Sequence, residues 1–273
     1  PLEPLDSLSE ILGGPRLWVK RDDCTGLSSG GNKTRKLEFS MADAQAQGAE
    51  TIVTHGPIQS NHACQTAAAA AKLGLGCHIL LEERSGVVKD SYALSGNALL
   101  NHLHGACVSK FEPSADISAE IACLANQLIQ DGKTPYIIPT GGSDCVGALG
   151  YVNCARELAE QAADFGLEID ALVHATDSAG TQAGLLVGLA AIQSDIHLLG
   201  IGVRAAQDQQ EQLVFNLAHR TAQHLGTGVK IARKDVHVNC GYVGAGYGLP
   251  SDGMVRSIKL LAQTEGLLFD PVY

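Results

Sequence analysis

The chain has 273 residues, of which 45% are hydrophobic and 18% charged, so it contains enough apolar material for a packed core and too much for a disordered chain. Its 29 acidic side chains outnumber 19 basic ones, and a net charge of −10 argues against binding to nucleic acid, which needs clustered cations. The apolar stretch 179–194 is shorter than the about 20 residues that cross a bilayer, so we expect no membrane segment.

Short apolar or β-branched runs alternate with longer helical patterns along the chain. In chain order, the predicted strands cover 17–20, 51–54, 77–81, 106–108, 136–138, 171–174 and 197–203. The predicted helices cover 34–47, 61–73, 94–103, 117–130, 146–163, 180–193, 208–224 and 252–265. This alternation predicts an α/β fold with parallel sheets flanked by helices. Ligands of such folds lie at the carboxyl ends of the strands, so the loops that follow the strands are the candidate site.

The cysteines indicate the compartment. Eight of them are scattered along the chain without a C-x-x-C pair, and several lie in apolar stretches. Reduced, buried side chains explain this pattern better than zinc ligands or disulfides do. The start of the sequence also lacks the basic and apolar regions of a secretory signal. We therefore expect a cytoplasmic protein without a metal.

A glycine-rich loop, Ser28 to Lys36, leads into the second predicted element. Its two glycines permit a strained turn, and the helix start supplies N–H groups for an anion. Lys33, Arg35 and Lys36 lie where the helix dipole disfavours positive charge. A solvated basic face would also place cations here, but it would not need the Gly-Gly-Asn that precedes them. The loop therefore predicts a functional lysine.

The loop from His55 to His62 joins a predicted strand to an alanine-rich helix. Ser60 is placed as the N-cap of that helix, and this structural role alone could explain it. The same helix start could bind a carboxylate through its N–H groups, with side-chain hydrogen bonds from Ser60 and Asn61. Both roles can hold at once.

Two further loops contain small residues and tyrosines. The first, Thr176 to Gly184, is rich in small residues and predicts a cup of backbone amides suited to phosphate. It matches neither the P-loop motif nor G-x-G-x-x-G. A tight turn between strand and helix explains the small residues equally well. The second, Cys240 to Pro250, is glycine-rich around Tyr247, and Tyr273 follows at 269–273. Each tyrosine alone could be a half-buried amphipathic ring.

The four loops together predict a cofactor that binds through a Schiff base. Pyridoxal phosphate needs an amine, an anion site and acid–base groups around an amino acid, and the loops offer all three. Competing chemistries lack their motifs, since the sequence contains neither G-x-S-x-G nor H-E-x-x-H.

These motifs resemble one family over essentially the whole chain. The segments that carry the resemblance are 20–23 (KRDD), 30–39 (GGNKTRKLEF), 59–62 (QSNH), 178–181 (SAGT) and 270–273 (DPVY). They are similar to the aminocyclopropane-carboxylate deaminase and D-cysteine desulfhydrase family, pyridoxal-phosphate enzymes of fold type II with a tryptophan-synthase-β-like fold. Within this family, the opening of the chain resembles the L-cysteate sulfo-lyase branch.

The resemblance implies a cofactor site. Lys33 would carry pyridoxal 5'-phosphate as a Schiff base and, once freed by substrate, would take the Cα proton. Asn61 would bind the cofactor's 3-hydroxyl, and Lys36 would strengthen the field that holds the anion. The phosphate would be bound by the loop residues Ser178, Ala179, Gly180 and Thr181.

The resemblance also implies the groups around the substrate. Ser60, with the amides of Asn61 and His62, would hold the substrate carboxylate, and Ser60 would also act as a catalytic residue that assists proton transfer. Tyr273 would lie against the cofactor and Tyr247 would point at the substrate, where either could influence the leaving group.

The expected organisation is a large cofactor-binding domain, 1–35 with 145–273, and a smaller α/β domain inserted at 36–144. Family members form homodimers and continue for several dozen residues beyond Asp-Pro-Val-Tyr, so we expect a homodimer and a longer natural chain. The expected reaction is β-elimination of L-cysteate to pyruvate, sulfite and ammonia. D-cysteine desulfhydration, deamination of aminocyclopropane carboxylate and a catalytically silent ligand-binding relative are the alternatives.

Two charged residues bear on the choice of substrate. Asp177 stands where the family often has glycine, and its charge beside a phosphate site is costly unless it is paired. A sulfonate needs an additional cation, and Arg204, after the strand 197–203, is the candidate, with His55 second. A surface arginine explains Arg204 equally well.

Overall fold

The computed structural model describes residues 1–83, 90–112 and 114–273. The chain divides into two compact units, the middle unit (Asp23–Tyr151) and the terminal unit (Pro1–Asp22 with Val152–Tyr273). The middle unit is longer at both ends than the insertion predicted over 36–144, which stays a prediction.

The secondary structure alternates as expected for an α/β fold. The strands are β1 (Leu2–Pro4), β2 (Trp18–Lys20), β3 (Thr51–Pro57), β4 (Gly76–Glu82), β5 (Cys107–Phe111), β6 (Pro135–Ile138), β7 (Ala171–Thr176), β8 (His197–Gly202) and β9 (His237–Asn239). The helices are α1 (Asp6–Leu12), α2 (Lys33–Ala46), α3 (Asn61–Leu73), α4 (Asp90–Ala93), α5 (Gly96–Leu103), α6 (Ile117–Gln130), α7 (Cys145–Asp164), α8 (Gly180–Ala191), α9 (Gln207–Leu225) and α10 (Asp252–Glu265). Short 3-10 turns cover Asp22–Cys24, Thr140–Gly142 and Arg233–Asp235.

The middle unit is built on a parallel sheet with strand order β5-β4-β3-β6. Leu37 and Met41 of α2 and the alanines of α3 pack with Ile52 and Ile79 in one buried cluster. Val53 and Leu80 face the other way and pack with Ile117 of α6. Successive residues are buried over 51–54 of β3 and 79–81 of β4, as expected for parallel strands that are covered on both faces.

The terminal unit contains a second parallel sheet, β7-β8-β9, and a separate antiparallel pair, β1-β2. Most residues of α8 are buried, and its small side chains allow other backbone to approach closely. A Cβ on Gly188 would lie 2.7 Å from the carbonyl oxygen of Val152 in α7. Small residues in α8 thus fix this helix, whose first turn follows β7.

The α/β fold class predicted from the sequence is confirmed, and α3, α6 and α10 have the predicted bounds. Sequence reasoning missed β1, α1, α4 and β9, which have three to seven residues each. Elements this short do not complete enough periods for an apolar pattern to emerge. In the part of the chain that the structure describes, no two cysteines form a disulfide. Within the described residues, no helix combines the length and the apolar character that crossing a bilayer requires.

Gly150 of α7 should tolerate no side chain, because a Cβ there would lie 2.1 Å from the carbonyl oxygen of Arg35 in α2. We expect Gly150→Ala to destabilise the protein by about 1–3 kcal/mol, the usual cost of overpacking. Gly253 in α10 is the matched control, since a Cβ there meets nothing within 4 Å. Gly253→Ala should stabilise by about 0.5–1 kcal/mol through helix propensity. Urea denaturation measures both, and shifts of the same sign would contradict this packing.

Candidate functional site

The glycine-rich loop before α2 is a close turn. Gly30 and Gly31 have φ values of 73° and 130°, and a Cβ on Gly30 would lie 1.7 Å from the carbonyl oxygen of Asp23. A Cβ on Gly31 would meet the Gln65 side chain, whose Oε1 accepts hydrogen bonds from the Thr34 N–H (2.9 Å) and hydroxyl (3.1 Å). The absence of side chains at these glycines therefore lets the start of α2 pack against α3, and the hydrogen bonds of Gln65 stabilise this contact.

Two lysine amines meet in the first turn of α2. Lys33 is 4% exposed and Lys36 is fully buried, and the positive charge of Lys33 acts on Lys36. Lys36 Nζ also donates to the Gly141 carbonyl (3.0 Å) and to Ser143 Oγ (3.2 Å). Burial, followed by the charge of Lys33, holds the pKa of Lys36 well below its usual value. Burial and charge repulsion thus favour the uncharged form of an amine at this place, and an uncharged amine is what a nucleophile requires.

The first turn of α3 combines a cap with two N–H groups that the cap does not use. Ser60 Oγ accepts from the Ala63 N–H at 3.1 Å, so the predicted N-cap is confirmed. The N–H groups of Asn61 and His62 precede that bond, and the positive end of the helix dipole lies with them. The Asn61 side chain donates to Asn32 Oδ1 at 2.9 Å, which orients its amide. This turn can bind an anion.

The His62 side chain is a functional candidate that sequence reasoning missed, because only its backbone amide had been singled out. Its Nε2 lies 2.8 Å from Thr54 Oγ1, which itself donates to the Ile138 carbonyl. Nε2 must therefore donate, and Nδ1 is a buried acceptor with no partner among the described residues. Burial, then the charges of Lys33 and Lys36, hold the pKa of His62 well below its usual value. The ring is a neutral imidazole with one lone pair unused.

The predicted phosphate residues, Ser178 to Thr181, lie at the start of α8. Ala179 is the N-cap and has a φ of 71°, a conformation that costs a non-glycine residue about 1–3 kcal/mol. Such strain is concentrated at functional sites, where the backbone must face a ligand. The first turn of a helix also has N–H groups that the helix itself does not use. This loop therefore has the geometry of an anion-binding helix start.

Asp177, directly before this loop, is paired. Its Oδ1 accepts from Arg204 Nε at 3.0 Å and its Oδ2 from the Tyr273 hydroxyl at 3.2 Å, while the Tyr247 hydroxyl lies 3.3 Å from that of Tyr273. Asp177 is buried, whereas the Arg204 side chain is 51% exposed. Burial, then Tyr247 and Asp177, raise the pKa of Tyr273. The negative charge of Asp177, which would oppose a phosphate if it were unpaired, is thus compensated by a guanidinium and a phenol.

His55, the second candidate for a sulfonate, lies in β3 and already has partners in the middle unit. Its Nε2 is 2.7 Å from Thr140 Oγ1, and its Nδ1 is 3.7 Å from a carboxylate oxygen of Glu82. Arg204 belongs to the terminal unit and is paired with Asp177 there. The structure places each candidate cation beside a carboxylate.

Comparison with known proteins identifies the family. The family of pyridoxal-phosphate-dependent enzymes matches residues 1–273. The chain is 44% identical over 273 residues to the D-cysteine desulfhydrase of Salmonella choleraesuis (strain SC-B67). It is 43% identical to that of Salmonella paratyphi C (strain RKS4594). Each match covers all of this chain and 82% of the relative. The chain belongs to the pyridoxal-phosphate-dependent enzymes.

Solved structures agree with this assignment. A crystal structure of an aminocyclopropane-carboxylate deaminase homologue is 34% identical, with a TM-score of 0.90 over 100% of this chain and 80% of that one. A threonine deaminase from T.th., at 17% identity and a TM-score of 0.67 over 100% of this chain and 83% of that one, shares the fold. The predicted family and the tryptophan-synthase-β-like fold type are confirmed, and pyridoxal 5'-phosphate is the cofactor.

The residues present fit that cofactor. Its aldehyde needs an uncharged amine, which the buried Lys33–Lys36 pair provides. Its phosphate needs a helix start with small residues, which the strained backbone at Ala179 provides. The neighbouring carboxylate of Asp177 does not oppose the phosphate with an unpaired charge, because Arg204 compensates it.

The buried imidazole of His62 should make the protein sensitive to acid. Its folded pKa lies below 6.5, so the unfolded chain takes up a proton first as the pH falls, and stability is lost below about pH 6.5. We expect His62→Gln to reduce the slope of unfolding free energy against pH by up to about 1.4 kcal/mol per pH unit. Urea denaturation between about pH 5 and 8 measures it.

The exposed His102, in the same unit, provides the control. The same measurement on His102→Gln gives the effect of replacing a histidine at an exposed position, against which the effect of His62→Gln is compared. Parallel curves for the parent protein and His62→Gln would show that His62 accepts its proton as readily in the folded state as in the unfolded state.

Proposed function

We propose that the chain is a carbon–sulfur lyase that eliminates sulfite from L-cysteate and releases pyruvate and ammonia. The observation that carries this proposal is the Arg204 guanidinium at the end of β8, which Asp177 fixes through Nε at 3.0 Å. A sulfonate is a permanent anion, and arginine is the side chain that recognises such groups through several N–H donors at once.

In this proposal Lys33 and Lys36 serve the cofactor together. Lys33 holds it covalently, and Lys36, anchored to Gly141 and Ser143, keeps a second amine beside it. Asn61 binds the 3-hydroxyl, and the loop Ser178 to Thr181 binds the phosphate. When bound, the cofactor withdraws electrons from Cα and so makes the Cα proton acidic.

The substrate carboxylate is held at the first turn of α3. The N–H groups of Asn61 and His62 are those that the Ser60 cap leaves unused, and Ser60 itself adds a hydroxyl. The helix dipole favours a negative charge at this end. A substrate bound here is fixed through its carboxylate, which leaves its β-substituent to be recognised elsewhere.

Proton transfer in this proposal belongs to Lys33. With cofactor and substrate bound, the Lys33 amine would hold the Cα proton, and repulsion between this amine and that of Lys36 would disfavour two ammonium groups at this place. Tyr247 and Tyr273 lie hydroxyl to hydroxyl and are the groups proposed to act at the leaving group. Because the pKa of Tyr273 is raised, its phenol stays protonated at neutral pH, where it donates to Asp177.

D-cysteine is the second candidate substrate. It is favoured by the full-length similarity to proteins named D-cysteine desulfhydrase, at 43–44% identity. A thiol requires no cation at Arg204, so the two substrates make different demands on one residue. Aminocyclopropane carboxylate is a third substrate to be assayed, because the solved relative at 34% identity is described as a homologue of its deaminase.

Product analysis tests the proposal. Purified protein supplied with pyridoxal phosphate is given L-cysteate, D-cysteine or aminocyclopropane carboxylate, and sulfite, sulfide and ammonia are measured. We expect sulfite and ammonia from L-cysteate at the highest kcat/KM. A higher kcat/KM for sulfide release from D-cysteine would transfer the proposal to the second candidate. No turnover, in protein that acquires the absorbance of the bound cofactor, would indicate a silent relative.

Arg204→Ala separates the two sulfur substrates. Loss of a hydrogen-bonded charge pair costs about 1.5–3 kcal/mol, so we expect kcat/KM for L-cysteate to fall by about 10- to 100-fold. For D-cysteine, assayed with saturating cofactor so that the uncompensated charge of Asp177 does not limit occupancy of the phosphate site, we expect a change of less than about threefold. Arg156→Ala, which removes an exposed arginine paired with Glu160, is the control. Equal losses for both substrates would remove Arg204 from substrate recognition.

A further inference from the structure

Asp177 is held by a hydrogen bond to its backbone as well as by those to its side chain. Its backbone carbonyl accepts a hydrogen bond from Gln210 Nε2 at 2.9 Å, and the same Nε2 lies 3.1 Å from Thr176 Oγ1. Gln210 is 1% exposed. The position of Asp177 after β7 is thus fixed from within the unit, independently of the two groups that its side chain contacts.

One of those groups, Tyr273, is fixed from its own side. The N–H groups of Val272 and Tyr273 both donate to Asp270 Oδ1, at 2.7 and 2.8 Å, which sets the backbone that carries the phenol. The hydrogen bond from the Tyr273 hydroxyl to Asp177 therefore joins two segments that each have hydrogen bonds of their own.

We propose that Asp177 is a positioning residue, which orients the Arg204 guanidinium with one carboxylate oxygen and the Tyr273 hydroxyl with the other. The proposal deepens the proposed function and rests on it, because it assigns to Asp177 the geometry of the groups that would meet the β-substituent of the substrate. Asp177 acts through these two residues and not on the substrate itself.

The carboxylate sets the direction of the hydrogen bonds between the tyrosines. An ionised carboxylate only accepts, so Tyr273 must spend its single proton on Asp177. Tyr247, 3.3 Å away, is then the donor to the Tyr273 oxygen. The order of donation is Tyr247 to Tyr273 to Asp177, and it ends on a charge that Arg204 balances.

The carboxylate also restrains the guanidinium. Arg204 is 51% exposed, and a free side chain of this kind would lose much rotamer entropy on binding a ligand. A charged hydrogen bond at Nε removes part of that freedom in advance, while the N–H groups of the two Nη atoms remain available for bidentate recognition. The competing physical effect is repulsion between the Asp177 carboxylate and an anionic substituent.

Substitution of Asp177 decides between orientation and repulsion. Asp177→Asn keeps the size of the side chain, and Asp177→Ala removes it. If the carboxylate orients Arg204, the KM for L-cysteate rises by about tenfold in both variants, with a smaller change in kcat and less than about threefold change for D-cysteine. An unchanged KM, or one that falls because a repulsion is relieved, overturns the proposal. Asp164→Asn, at an exposed position at the end of α7, is the control.

A second readout needs no turnover. In holoenzyme labelled with 15N-arginine and 13Cζ-tyrosine, signals are assigned by Arg204→Ala and Tyr273→Phe. We expect the Arg204 Nε–H to exchange faster with solvent in Asp177→Ala, and Tyr273 to begin ionising at lower pH in both Asp177 variants, because a neighbouring negative charge is gone. Unchanged signals overturn the proposal. If the parent enzyme acts on neither sulfur substrate, the proposed function has failed, and these signals still test the positioning role.

Discussion

The proximity of two buried amines, Lys33 and Lys36, is the constraint on which the rest of the site depends. Burial and the repulsion between two ammonium groups lower the pKa of Lys36, so the site favours an uncharged amine. The arrangement is costly, and the fold holds it by packing Gly30 and Gly31 where no side chain fits and by giving Lys36 two oxygen acceptors. Covalent attachment of a cofactor aldehyde needs just such an amine.

Helix starts supply the complementary sites for anions. α3 follows β3, α8 follows β7, and each begins with small or polar residues at the carboxyl end of a parallel strand. At α3 the cap uses the Ala63 N–H and leaves two others, and at α8 the backbone accepts a left-handed alanine. In the proposed function, the substrate carboxylate binds at the start of α3 and the cofactor phosphate at the start of α8.

The sequence predicts local features such as helix bounds and the N-cap, but not the contacts between residues that are far apart in the chain. α3, α6 and α10 have the predicted bounds, and Ser60 is the expected cap, because periodicity and capping are local. The buried His62 side chain depends on Thr54 and on cations elsewhere in the chain, and the compensation of Asp177 depends on Arg204, 27 residues away, and Tyr273, 96 residues away. Sequence spacing does not carry such long-range contacts, so Asp177 looked like an obstacle to phosphate binding when its charge is in fact balanced.

The most direct measurement asks which amine holds the cofactor. Borohydride reduction of the holoenzyme fixes the pyridoxyl group on its lysine, and mass spectrometry of the digested protein locates it. We expect the label on Lys33, and its loss in Lys33→Ala but not in Lys72→Ala, a variant of the lysine in the last turn of α3. A label on another lysine, or none in protein that folds, would show that Lys33 does not hold the cofactor.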